Sequence, residues 1–298
     1  MWVFNMKFRG HETFFIRKGW LYKGLKNVKD HPTVFTDKEV NPMDVLGIGA
    51  NMVKSLRYWM QAVKLTEEPT KGVKSQRFTE LADLIWEYDR YMEELGTLWL
   101  LHYSLASNEE MATSWFYFFN EFKMSEFRKD DFVFALANFT KMSYEIEIAQ
   151  GSLESDFDCL INTYVARGKS NPQKVMPESN IDCPLGELGL IDIVNRKEKI
   201  YRKAQPKKNM LHPLIVLSVI LNEANGCNEL RIASLLNENN NIGKIFNLDI
   251  IALTNYLHQL SQTGYLKVNR TAGLDVVRIT TDLDFKECVR AYYTELNQ

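Results

Sequence analysis

The chain is expected to be mainly α with small β-hairpins, an α+β protein, on three observations. Apolar residues recur at three- and four-residue spacing, as in Met52, Val53, Leu56, Trp59, Met60 and Val63, which lines one face of a helix with 3.6 residues per turn. Two later stretches, LGLIDIVNRKEKIYRKA and YLKVNRTAGLDVVRIT, carry short alternating runs separated by turn residues, as paired strands do. The 298 residues are 45% hydrophobic and 25% charged, an ordinary globular composition with room for two or three cores. Three units are expected: residues 1–78 with a helix-turn-helix, 79–205 helical with a winged-helix-like hairpin, and 206–298 as a winged helix.

The first block, FRGHETFFIRKGWLYKGL, sets aromatic residues among bases, and its second half reads as a helix. His11 beside Glu12 offers a general base or a metal ligand. The same pair also reads as a buried polar pair beneath the aromatics. TDKEVNPMDVLGIGA follows, a short helix and then Gly47 and Gly49, which permit the bend that a helix-turn-helix places before its reading helix.

The next helix has two faces. Opposite its apolar stripe stand Asn51, Lys54, Ser55, Arg57, Tyr58 and Gln61, a set of bases, amides and hydroxyls without an acid. Such groups suit phosphate oxygens and base edges, and equally the solvated side of a plain helical hairpin.

Glu80 to Glu94 continues as an acidic amphipathic helix, and GTLWLLHYSLAS is an apolar helix expected inside, with His102 a hydrogen-bonded core residue. TSWFYFFNEF reads as a buried strand, and RKDDFVFALANFTK as a helix with Phe132, Leu136 and Phe139 on one side. In SLESDFDCLINTYV, Leu153, Phe157, Leu160, Ile161 and Tyr164 share a face. Glu154, Asp156 and Asp158 are assigned to the other, where they repel phosphate or bind Mg²⁺.

NPQKVMPESNIDCP reads as a loop. The hairpin after it joins two strands at Asn195-Arg196-Lys197, and Lys197, Lys199, Arg202 and Lys203 make it either a basic wing on phosphates or a basic linker. The last third runs HPLIVLSVILNEA, NELRIASLLNEN and LDIIALTNYLHQLSQTGYLKV, the order of a winged helix. Ile250, Leu253, Leu257 and Leu260 face inward there; Thr254, Asn255, His258, Gln259 and Gln262 face out, and Arg270 sits at the wing tip.

Net charge is −2, so any nucleic-acid surface must be a local patch. Cys159, Cys183, Cys227 and Cys288 lack zinc or disulfide spacing, and no stretch reaches about 18 apolar residues. Those features lead us to expect a cytoplasmic protein off the membrane. LGIGAN is far from a phosphate-binding GxxxxGK[ST] loop, so no nucleotide cofactor is expected. Metal-nuclease signatures are absent too, and the DFK at Asp284 to Lys286 lacks its upstream partner.

FRGHETFFIRKGWLYKGL, LGIGANMVKSLRYW, LWLLHYSLA, WFYFFNEF and CPLGELGLI, in that order, resemble the SspB-like family of bacterial DNA phosphorothioation defence proteins, a domain of unknown function. The resemblance implies double-stranded DNA as ligand and a nicking endonuclease that opens one strand for sulfur incorporation, with Mg²⁺ where metal is used. It also implies partners: a cysteine desulfurase, an ATPase and an ATP-pyrophosphatase-like sulfur transferase. If the chain nicks, the site is expected at His11 as base, Glu12 as orienting or metal-holding group, and Arg9 or Arg17 on the phosphate. A non-catalytic DNA-binding adaptor and a winged-helix transcriptional regulator share every DNA contact named above.

Overall fold

A computed structural model describes residues 6–165, 183–271 and 274–296. The loop expected over residues 171–184 falls almost wholly outside them. So do the tip of the last hairpin at 272–273 and the side chain of Arg270.

Helix α5 (Leu95–Ala106) is the axis of the molecule. Every residue from Gly96 to Ala106 is buried, as expected of a helix that is apolar all round. Its indole and imidazole find partners in distant chain: Trp99 Nε1 donates to the Met210 carbonyl at 2.7 Å, and His102 Nε2 donates to the Ile245 carbonyl at 2.8 Å.

Before α5 come α1 (Trp20–Asp30), α2 (Pro42–Leu46), α3 (Ala50–Ala62), the two-residue strands β1 (Thr66–Glu67) and β2 (Arg77–Phe78), and α4 (Glu80–Tyr88). Pro42 opens α2 at a position where no amide hydrogen is needed, and the Asn41 side chain accepts the Met43 amide as its cap. Gly47 ends α2 at φ 60°, the left-handed conformation that glycine adopts without steric cost. The α2-turn-α3 arrangement expected from the sequence is therefore present.

After α5 stand α6 (Thr113–Asn120), β3 (Glu126–Phe127), α7 (Lys129–Tyr144) and α8 (Gln150–Tyr164). The segment at α6 was expected as a strand and is a helix. All eight of its residues are buried, so neither the helical nor the strand period leaves a mark in the sequence, and aromatic content alone misleads.

A short 3₁₀ turn (Pro184–Leu188) leads into β4 (Ile191–Asn195) and β5 (Ile200–Lys203). This is the expected hairpin, with β5 central in an antiparallel sheet of order β3-β5-β4. Phe127 lies opposite Tyr201 there.

The last third holds α9 (Pro213–Glu223), β6 (Glu229–Arg231), α10 (Ile232–Asn237), α11 (Ile242–Ile245), α12 (Ile250–Gln262), β7 (Leu266–Thr271), β8 (Leu274–Ile279) and α13 (Phe285–Leu296). Its antiparallel sheet has the order β6-β8-β7. In α12, Leu253, Leu257 and Leu260 are buried as expected, whereas Ile250 is 49% exposed.

The final helix returns to the first half of the chain. Tyr293 stacks on Tyr88 of α4 at 5.2 Å, and the Gly96 amide donates to the Tyr292 hydroxyl at 3.0 Å. The protein is α+β, with its helices around short antiparallel sheets. No helix among the described residues is long and apolar enough to cross a membrane.

Candidate functional site

Ahead of α1, residues 6–19 have no helix or strand, and their path is set by one buried acid. Asp156 of α8 is 1% exposed. Its Oδ1 accepts the Arg9 amide at 2.8 Å and faces His11 Nε2 at 2.9 Å, while Oδ2 accepts the Ser114 hydroxyl at 2.6 Å. The Thr13 amide donates to His11 Nδ1 at 3.0 Å, so the ring carries its hydrogen on Nε2 and gives it to Asp156.

Two expectations change here. Asp156 does not share an outer face with Glu154 and Asp158; it lies three residues from Leu153 and four from Leu160, which turns it inward with them. His11 is fully buried between the Trp59 and Trp115 rings, so it cannot meet a phosphate from solvent. The alternative of a buried polar pair is the one observed, with Asp156 rather than Glu12 as partner.

Anchoring His11 forces the backbone around it into unusual conformations. Arg9, Glu12 and Thr13 all have positive φ, at 55°, 50° and 71°. Each is a conformation that costs a non-glycine residue about 1 kcal/mol or more and that clusters at functional sites. The strain carries Glu12 out of the aromatic core into a cleft over α3.

That cleft, about 350 Å³, is lined by Lys7, Gly10, Glu12, Lys54, Arg57, Tyr58, Gln61 and Glu68. Its floor is the Tyr58 ring, which leaves no room for a side chain at residue 10: a Cβ on Gly10 would stand 2.5 Å from the ring. The Lys7 ammonium lies 5.3 Å over the same ring. Arg57 meets Glu68 with a two-pronged bond, Nε to Oε2 at 2.9 Å and Nη2 to Oε1 at 2.6 Å. Burial, and then repulsion from Arg57, pull the Lys7 ammonium below the usual lysine range, opposed by Glu68. Positive charge in the cleft is thus only partly compensated.

The polar flank of α3 divides. Asn51 and Lys54 are exposed, while Ser55 and Tyr58 are buried beneath the N-terminal block; Ser55 Oγ donates to the Phe14 carbonyl at 3.4 Å. Their side chains do not face outward as expected, because the N-terminal block folds back over this side of α3. Arg9 is exposed, and Arg17 is stacked over Phe14 and Trp20 at 5.5 and 5.2 Å, away from the cleft lining.

On the β4-β5 hairpin, Lys197 and Lys199 are exposed at the turn, and Arg202 lies 3.4 Å from Asp192. Lys203 departs from the expected outward placement. Its ammonium donates to the Phe118 and Phe122 carbonyls at 2.5 and 2.6 Å and lies over the Phe118 ring. It serves the carbonyl end of α6. Burial, then repulsion from Lys244, pull it down to about 7.

Sequence reading missed two groups that shape the site, Glu68 and Lys7, and placed a third, Asp156, on the wrong face of its helix. Only Asp156 carried a signal, its helical spacing from Leu153 and Leu160. Glu68 and Lys7 reach the cleft from a turn and an irregular segment.

Fold and cleft together define an α+β protein that presents a mixed basic and acidic cleft where a strained N-terminal segment crosses helix α3. Residues 8–293 match the family described as "Protein of unknown function (DUF4007)", and the chain belongs to that family. Two solved structures are similar. A magnesium ion-bound SspB crystal structure is 26% identical with a TM-score of 0.85, covering 98% of this chain and 89% of that one. An SspB crystal structure is 25% identical with a TM-score of 0.80, covering 98% and 94%. No curated protein matches. The SspB-like resemblance seen in the sequence blocks therefore extends over the whole fold.

Proposed function

We propose that this chain is a DNA-handling component of a phosphorothioate-based defence system, and that the α3 cleft holds the backbone of one strand and nicks it. The observation that carries this reading is the crowding of Lys7, Lys54 and Arg57 around Glu12 on a backbone strained at residues 9, 12 and 13. A phosphate entering there would relieve the mutual repulsion of Lys7 and Arg57. The division into units 1–78, 79–205 and 206–298 and a cytoplasmic setting belong to the same reading.

Magnesium accompanies one of the similar SspB structures. Among the described residues no group of three or more His, Cys, Asp or Glu is placed to hold a metal ion. Glu12 and Glu68 nevertheless share the cleft, and Mg²⁺ commonly takes one or two carboxylates and completes its shell with phosphate oxygens and water. Bound that way, it would polarise the scissile phosphate and offset the developing charge. Lys7 and Lys54 would neutralise the non-bridging oxygens, Arg9 would meet a flanking phosphate, and Glu12 would take the proton of the attacking water as the bridging P–O bond breaks and the departing sugar oxygen takes a proton from solvent. His11 would act by position, holding residues 9–13 in place through Asp156.

A second reading is the non-catalytic adaptor that presents DNA to the cysteine desulfurase, the ATPase and the sulfur transferase. It is favoured by the sealing of His11 and the engagement of Arg57 by Glu68, which leave the cleft few groups for chemistry.

Supercoiled plasmid incubated with the purified protein and Mg²⁺ separates the two. Nicking predicts conversion to open circles, abolished by chelation and slowed at least about a hundredfold by Glu12→Gln, the lower end of the usual scale for losing an acid-base group. Relaxation at the wild-type rate by that variant removes the cleft as the site. Plasmid that is bound yet stays supercoiled leaves the adaptor.

A further inference from the structure

A second groove, about 710 Å³, lies between residues 205–213 and helix α12. Its composition is unusual for this chain. Asn255, Gln259 and Gln262 line it at i, i+4 and i+7 along one side of α12, with His258 beside them and Lys207 and Lys208 on the opposite bank, and no carboxylate lines it. The full chain holds 38 acids against 36 lysines and arginines, so an acid-free groove of this size is a local segregation of charge. Two acids whose partners line the groove are engaged: Asp249 caps α12 by accepting the Ala252 amide at 2.8 Å, and Glu295 sits 3.7 Å from His212.

The four α12 side chains are exposed, and the three amides make no hydrogen bond to the described residues. Leu253, Leu257 and Leu260 pin the other side of the helix into the core, which fixes the amide row in orientation. Asp249 and the Asp249–Ala252 bond hold its start, and the β7-β8 hairpin follows directly. A rigid helix that offers a row of amides can reach into the major groove of B-form DNA, where Asn and Gln pair with the N6 and N7 edge of adenine. Two adjacent lysines at its side would take backbone phosphates.

We infer that the α12 groove is a sequence-reading surface for duplex DNA, separate from the α3 cleft, with Asn255, Gln259 and Gln262 on base edges and Lys207 and Lys208 on phosphates. It rests on the DNA reading above and adds to it: the α3 cleft handles the backbone, and α12 selects where. A-form RNA is a poor occupant, since its deep, narrow major groove does not admit side chains.

The test selects binders from a random-sequence duplex DNA pool with full-length protein and sequences the enriched fraction. Wild type should enrich an adenine-containing motif. The triple variant Asn255→Ala, Gln259→Ala, Gln262→Ala should lose that enrichment while keeping its affinity for unselected duplex within about threefold. Lys207→Ala with Lys208→Ala should keep the motif, bind every duplex more weakly, and flatten the dependence of log affinity on log salt by about 1.8. All five positions are exposed, three on α12 and two in the segment before α9, and matching thermal midpoints would establish that the variants fold.

Undiminished enrichment by the triple variant overturns the inference and leaves the α3 reading standing. Tighter binding of A-form RNA duplex than of DNA also overturns it. Loss of all DNA binding by wild type would overturn both, whereas nicking by wild type with no motif enriched would overturn this one alone.

Discussion

His11 and His102 are both fully buried, and their surroundings assign them different work. His102 sits between the Tyr164 hydroxyl at Nδ1 and the Ile245 carbonyl at Nε2, each at 2.8 Å, and burial pulls it down to about 4 from 6.5. A depressed histidine contributes stability that is present above pH 6.5 and lost as pH falls towards 4, here roughly 3 kcal/mol. Denaturant unfolding at pH 7 and pH 4.5 should show that loss, and His102→Gln should remove most of the slope while being less stable at pH 7. An unchanged slope would place the titration elsewhere. For Asp156, three converging donors predict a graded response. Asp156→Ala should cost about 3 kcal/mol and Asp156→Asn about 1 kcal/mol, because the amide oxygen can serve the Arg9 and His11 donors while its NH₂ turns to Ser114. Equal losses in urea titrations would contradict the network.

Among the elements, the β4-β5 hairpin and α6 are joined by Lys203, and this separates two kinds of base on one strand pair. Lys203→Ala should weaken folding by about 1–2 kcal/mol, since it strips a charged donor from the Phe118 and Phe122 carbonyls, and should leave DNA affinity unchanged. Lys197→Ala with Lys199→Ala should do the reverse, leaving the urea midpoint in place and lowering DNA affinity in a salt-dependent way. A DNA defect in Lys203→Ala at unchanged stability would restore its expected role as a phosphate contact. Element type itself was readable wherever one face is buried: α3, α8 and α12 show the helical period, and β4 alternates. It was not readable in α6, where burial on all sides erases the contrast that period depends on.

The whole molecule is closed by α13. Cys288, Val289, Tyr292 and Tyr293 are buried there, and the Tyr293 hydroxyl lies 2.7 Å from Thr97 Oγ1, which donates to Asp89 at 2.6 Å. Burying those side chains is worth on the order of 8 kcal/mol, comparable to the net stability of a typical domain. A chain ending at Asp284 should therefore show no cooperative thermal transition near that of the full chain; an unshifted transition would mean that the first half folds without its closing helix.

Local pattern in the chain determined helices α2 and α3, both hairpins and the amide row of α12, because burial of one face writes its period into the residues, while α5 was legible from its apolar run. Tertiary structure alone decided that His11 faces Asp156 across 145 positions, that Ser55 and Tyr58 lie under the N-terminal block, and that Lys7, Glu12 and Glu68 share a cleft with Arg57. Those pairings arise between segments far apart in sequence, held by an irregular stretch whose path follows from a buried carboxylate and carries no period of its own.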